Sequence, residues 1–197
     1  MYITRLAEFV PKESLKFIEK WCDKHSLHLK ITRERKSKLG DYRPISGGSH
    51  QISINGNLDP LFFFFIFTHE IAHMHCYTLF KRSVAPHGMQ WKNIFADLIM
   101  ESLTVYPPDL QEILMNFSKN PKATLNASPE LIKYFRFYPV SEHEVFVEDI
   151  PASHEFKYNG DHYVLIKKLK KNYLCQNKNT GRMYRFNNLA RVQKITI

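Results

Sequence analysis

The chain has 197 residues, 44% of them hydrophobic, and a formal net charge of +9. This composition makes a globular rather than a disordered chain the default and suits one domain of ordinary size, or one domain plus a small appendage. The longest apolar run, Leu61 to Phe67, is seven residues, far short of the ~20 that a membrane-spanning helix needs, so no membrane partner is expected.

The opening segment MYITRLAEFVPKES has neither the apolar region nor the small-residue cleavage site of a signal peptide, so a cytoplasmic location is expected. Residues 11–25, PKESLKFIEKWCDKH, predict an amphipathic helix. Pro11 suits its first turn, and Leu15, Ile18 and Trp21 or Cys22 recur at helical spacing. LHLKITRER alternates as a strand does, GDYRP begins a second, and HQISIN is a third with His50, Ile52 and Ile54 on one face. A long helix is predicted from about Pro60 to Lys81 and another from about Pro86 to Thr104, the latter with Trp91, Ile94, Phe95 and Leu98 on one stripe. Shorter helices are expected near 108–118 and 128–137. The stretch 139–155 is acidic, with Glu142, Glu144, Glu148, Asp149 and Glu155, and is expected to be a connector. Beyond it the texture changes. Asn159-Gly160 signals a hairpin, a second turn falls around Asn179 to Gly181, and ARVQKITI reads as a closing strand. Cys22, Cys76 and Cys175 are odd in number and far apart, which fits buried free thiols and neither a disulfide framework nor a C-x-x-C knuckle. The expected class is α+β, with a mixed domain over 1–138, an acidic connector over 139–155 and a basic β-hairpin module over 156–197.

The metal chemistry lies in HEIAH, His69 to His73, an H-E-x-x-H motif. On a helix, residues four apart share a face, so both imidazoles can meet one zinc ion. Glu70 is offset by about 100° and can reach a water at the zinc without ligating it. The preceding FFFFIF argues that this helix is buried, because an apolar surface all round belongs inside. Buried histidines and a buried glutamate need partners, and a metal supplies them. A catalytic zinc takes three protein ligands. The extended form of the motif is absent, Leu79 standing where its third histidine would be. His87 shares a predicted helix face with Trp91, Ile94 and Phe95; packing of that face on the active-site helix would turn it to the metal. His87 is therefore the expected third ligand, with Glu101 or Asp97 as alternatives. His75 lies on another face, and His25, His28, His143, His154 and His162 lack ligand spacing.

These residues resemble a family. HEIAHMH…PHGMQWKNIF is similar to the SprT-like metalloproteases, the group of bacterial SprT and eukaryotic Spartan, which share H-E-x-x-H followed by a histidine in an H-G-x-x-[FW] segment. GDYR…HQISINGNLDPLFFFFIFTHE is similar too, with an I-x-[IV]-N strand leading into the helix. The likeness covers about residues 10–110. It implies a zincin-like fold with a small sheet beside the active-site helix, and one zinc ion held by His69, His73 and His87. It also implies Glu70 as general base and hydrolysis of a protein or peptide substrate; Spartan-like members cleave proteins attached to DNA. Many relatives continue into a cysteine-rich zinc ribbon. Here the tail has only Cys175, so a four-cysteine site is excluded. HQISIN is the candidate edge along which an extended substrate adds as a strand.

The charge points to a further partner. Residues 157–197 hold ten Lys/Arg and one acid, Asp161, whereas the first 156 residues hold 18 of each sign. A basic module on a neutral body suggests an anionic partner. Lys167, Lys168, Lys170, Lys171, Arg182 and Arg185 are the candidate contacts to DNA or another nucleic acid, and nucleoid association would follow. The rings of Tyr158, Tyr163, Tyr173, Tyr184 and Phe186 either stack on unpaired bases or form the core of a small β-module with lysines on its rim. The competing reading is a nucleic-acid-associated zinc protein with little proteolysis, acting in transcription. The intact Glu70 speaks against it, since a structural zinc has no use for a general base.

Overall fold

The computed structural model describes residues 6–35, 37–124, 127–136, 144–170 and 172–195. The chain divides into two compact units, 1–131 and 132–197. In the first, a 3-10 turn at Lys12–Ser14 leads into helix α1 (Leu15–Cys22), followed by strands β1 (Leu27–Thr32), β2 (Gly40–Pro44) and β3 (His50–Asn55). Helices α2 (Pro60–Phe80), α3 (Met89–Glu101), α4 (Pro108–Ser118) and α5 (Pro129–Arg136) follow, the boundary between units falling within α5.

Helix α2 organises the first unit. The Asp59 side chain accepts a hydrogen bond from the Leu61 N–H at 3.0 Å, and Pro60 occupies the first turn, where its missing N–H has no cost. Phe63, Phe64 and Phe65 then pack on different neighbours. Phe63 stacks on Phe9 at 5.5 Å, and Phe64 lies parallel to Trp21 of α1 at 5.9 Å. Phe65 meets Phe95 of α3 at 5.6 Å and Phe117 of α4 at 5.8 Å. All six residues from Phe62 to Phe67 are buried, so the helix is the core of its unit and not one of its faces. Among the described residues, no helix is long and apolar enough to cross a membrane.

The three-stranded sheet has the order β1-β3-β2, with β3 parallel to β1 and antiparallel to β2. HQISIN is therefore the central strand, which corrects its expected place at the edge. Its Ile52 and Ile54 are fully buried, on the strand that packs against α2. The edge beside α2 is β2. Bonds from Asn55 N–H to Leu39 O (3.0 Å) and from Ile45 N–H to Ser49 O (2.8 Å) bracket the β2–β3 pairing. By the alternation of an antiparallel ladder, Asp41 and Arg43 turn their backbone groups toward β3, whereas Gly40 and Tyr42 turn theirs outward.

The second unit is a six-stranded antiparallel sheet ordered β4-β9-β5-β6-β7-β8. Its strands are β4 (Glu144–Phe146), β5 (Glu155–Tyr158), β6 (Asp161–Lys168), β7 (Asn172–Asn177), β8 (Met183–Asn187) and β9 (Arg191–Lys194). Left-handed Asn159 (φ 50°) and Gly160 (φ 86°) make the tight turn between β5 and β6. The expected connector is corrected here. Residues 139–143 lie outside the described residues, but 144–155 belong to the sheet unit. Strand β4 pairs with β9, and Val147 and Ile150 join Phe156, Tyr163, Leu165 and Tyr173 in the core. Three acids of this stretch have partners: Glu144 pairs with Arg191, Glu148 with Lys133 at 2.5 Å, and Glu155 with Lys178 at 2.8 Å.

Candidate metal centre

His69 and His73 sit one turn apart on α2, as their spacing requires. His87 arrives differently from the expectation. Helix α3 begins at Met89, not Pro86, and the extended backbone of Gly88 (ψ −174°) precedes it. His87 itself lies in the left-handed region at φ 61°. A turn, and not a helix face, therefore delivers its ring. Histidine is among the non-glycine residues that tolerate this region best. Trp91, fully buried at the start of α3, touches all three imidazoles, with ring centroids 4.7 Å from His69, 5.2 Å from His73 and 4.6 Å from His87.

The three Nε2 atoms converge, at 3.2 Å between His69 and His73, 3.0 Å between His73 and His87, and 3.4 Å between His69 and His87. Nitrogens at about 2.0–2.1 Å from a tetrahedral ion lie about 3.3–3.4 Å apart, so the donor set fits a metal ion of that kind. Among the described residues this is the one trio of His, Cys, Asp or Glu whose ligand atoms all fall within 4.8 Å. Burial, then the neighbouring His73 and His87, push the His69 pKa down to about 3. Burial, then His87, push His73 down to about 4. Burial also lowers that of His87. All three are thus kept in the neutral form that ligates a metal.

Glu70 is 6% exposed and lies against β2. A side-chain carbon placed on Gly40 would stand 2.5 Å from Glu70 Oε1 and 2.8 Å from Ile66 Cγ2, so only glycine lets the strand approach this carboxylate. Burial and the nearby Asp41 raise the Glu70 pKa to about 8, against the opposing pull of the Tyr42 backbone N–H, Arg35 and Lys38. The carboxylate and the trio open into a cleft of about 630 Å³. Gly40, Asp41 and Tyr42 form one wall, and Lys81, Arg82 and the residues leading to His87 form another.

Tyr42 extends the site. Its ring lies parallel to His73 at 6.4 Å, and its hydroxyl shares a 2.9 Å hydrogen bond with His50 Nδ1. The sequence put His50 on one face of a strand without tying it to the site, and gave no role to Tyr42, since which strand packs on the helix depends on pairing order. Of the alternative ligands, Glu101 is committed to Lys20 (2.5 Å) and Trp21 Nε1 (3.1 Å), and Asp97 does not join the trio. His75 is structural, its Nε2 lying 2.9 Å from Trp21 O.

The basic candidates form no single cluster around a ring platform. Tyr163, Tyr173 and Phe186 are buried in the sheet core, leaving Tyr158 (37% exposed) and Tyr184 (40%) as the rings open to a base. Lys167 pairs with Leu174 and Leu174 with Arg185, so the two cations flank one leucine on one face. Lys168 pairs with Tyr173, one register along and on the other face, its Nζ 5.8 Å from that ring. Lys170 and Arg182 are exposed, and Lys171 lies outside the described residues. None of Lys167, Lys168, Lys170, Arg182 or Arg185 has an ion pair among the described residues.

Comparison of the chain with protein-family models, with curated proteins and with solved structures finds no match in any of the three.

Proposed function

We propose that the protein is a zinc-dependent metallopeptidase of the SprT-like kind, with a zincin-like pairing of sheet and active-site helix, hydrolysing peptide bonds in proteins that include DNA-associated ones. The observation that carries this reading is the Glu70 carboxylate, buried beside three converging imidazoles and held against a glycine of the edge strand. The H-E-x-x-H and H-G-x-x-W resemblance supports it. Zinc held by His69, His73 and His87 supplies Lewis acidity toward water and toward a carbonyl oxygen. Glu70 accepts a proton from the attacking water on a carboxylate oxygen and returns it to the leaving amine nitrogen. The Tyr42 N–H holds the Glu70 carboxylate in place. The outward backbone of β2 runs along the cleft, and an extended substrate adds there as a further strand. The exposed cations of the sheet unit recruit nucleic acid.

The test is Glu70→Gln. Zinc content, measured on the purified protein, should stay at one ion per chain. Cleavage of casein and of histone, with and without single-stranded DNA, should fall by at least about 100-fold. Full cleavage by the variant would sink the assignment. Cleavage absent from the wild type as well would favour a nucleic-acid-associated zinc protein.

A further inference from the structure

Helix α2 carries more along its cleft face than the two ligands. His69, His73, Tyr77 and Lys81 are four apart, so they form one stripe that ends where the helix does. Lys81 closes the helix with φ 53° and ψ −125°, its N–H bonded to Tyr77 O at 2.8 Å. That is the first central position of a type II′ turn, where glycine is strongly preferred. A lysine there is strained, and strain of this kind collects at functional positions. The same loop has a second left-handed non-glycine residue at its far end, His87, which belongs to the metal centre. Both line the cleft.

The Lys81 side chain turns back over the helix. Its Nζ lies 5.4 Å from the centre of the Tyr77 ring. His50, behind Tyr42, feels it: burial lowers the His50 pKa most, then His25, then Lys81. Among the described residues no carboxylate pairs with this ammonium. The acid on the opposite wall, Asp41, is already engaged by Lys38 at 2.8 Å. Tyr77 is four residues from His73, about 6 Å along the helix. An extended peptide advances about 3.3 Å per residue, so a peptide running along α2 would meet the Tyr77 ring, with Lys81 Nζ 5.4 Å from it, roughly two residues from the bond at the metal centre.

We propose that Lys81 is the specificity-determining residue of the cleft and that its ammonium receives a substrate carboxylate about two residues from the scissile bond. The proposal rests on the peptidase reading and narrows it to substrates with an acidic side chain, or a free C-terminal carboxylate, at that place. A single carboxylate fits better than a nucleic-acid strand, which would carry its phosphates past Asp41 and Glu70.

The experiment uses the zinc-loaded full-length protein and a peptide set with Glu or Gln at each of three positions on either side of the cut, each with a free or amidated C terminus. The wild type should favour Glu over Gln at one position, or the free over the amidated terminus, by about tenfold in kcat/KM. The first result assigns the carboxylate to a side chain and the second to a chain end. Lys81→Met and Lys81→Gly should bring that ratio to about 1. Lys81→Gly should also raise Tm, because glycine relieves the left-handed strain, whereas Lys81→Met should not. Labelled peptides titrated against Glu70→Gln, alone and combined with Lys81→Met, give the same comparison as Kd without turnover. Absent cleavage by the wild type therefore counts against the peptidase reading, while the Kd ratio still decides Lys81. Equal Kd for Glu and Gln peptides and for free and amidated termini, or a preference that survives Lys81→Met, would overturn the proposal. So would a Lys81→Met variant that loses single-stranded oligonucleotide binding and keeps its peptide Kd values.

Discussion

Glu70 and Gly40 are best understood together, because the carboxylate has its position only while the strand beside it lacks a side chain. With 2.5 Å between a new Cβ and Oε1, Gly40→Ala must push the carboxylate away from the Tyr42 N–H or lift β2 from α2. The three imidazoles come from α2 and the turn before α3, and none of them is carried by β2. Gly40→Ala should therefore retain zinc, as measured by metal analysis, while peptide hydrolysis falls by about 10- to 100-fold. Loss of zinc together with activity would mean that the strand supports the metal centre itself. Residues of this sort were the least legible in the sequence. His69, Glu70 and His73 announce themselves by spacing on one helix. Gly40, Tyr42 and Lys81 matter through pairing order and backbone turn, which spacing does not encode.

At the scale of elements, the phenylalanine run was legible as a buried helix and proved to be one, because a segment apolar on every side has no other stable place. What the sequence could not supply was the set of neighbours. Phe67 and Phe64 are fully buried, and the helix they belong to carries the metal ligands. Phe67→Ala should cost about 3–5 kcal/mol of unfolding free energy by urea denaturation, as large-to-small changes of buried aromatics do. A cost below about 1 kcal/mol would show that the helix is not the core of its unit. Two expectations failed at this scale, for physical reasons. HQISIN is the expected edge for an added substrate strand, but pairing on both sides makes it central. The segment before Trp91 has helical periodicity, but Gly88 and left-handed His87 hold it as a turn. That turn aims the third imidazole all the same, so the ligand identity was legible where its route was not.

Across the whole molecule, the structure redraws the distribution of charge. Residues 132–197 hold twelve Lys/Arg and six Asp/Glu, so the sheet unit carries +6 where the sequence boundary had placed +9 on the tail. Phosphate binding, if it uses the Lys167–Arg185 face, must weaken with salt. Replacing both residues with Gln should reduce the slope of log K against log salt by roughly 1 per residue, read by fluorescence anisotropy with single-stranded DNA. An unchanged slope would mark that face as a solvated rim. The same redrawn boundary concerns how the chain tolerates being cut. A fragment beginning at residue 156 would lack β4, leaving β9 as a bare outer strand with Val192 uncovered and Arg191 without Glu144. An unpaired strand of that kind invites other chains to add to it. The acidic stretch is thus a guard on the sheet's margin, and a fragment made without it would be prone to self-association.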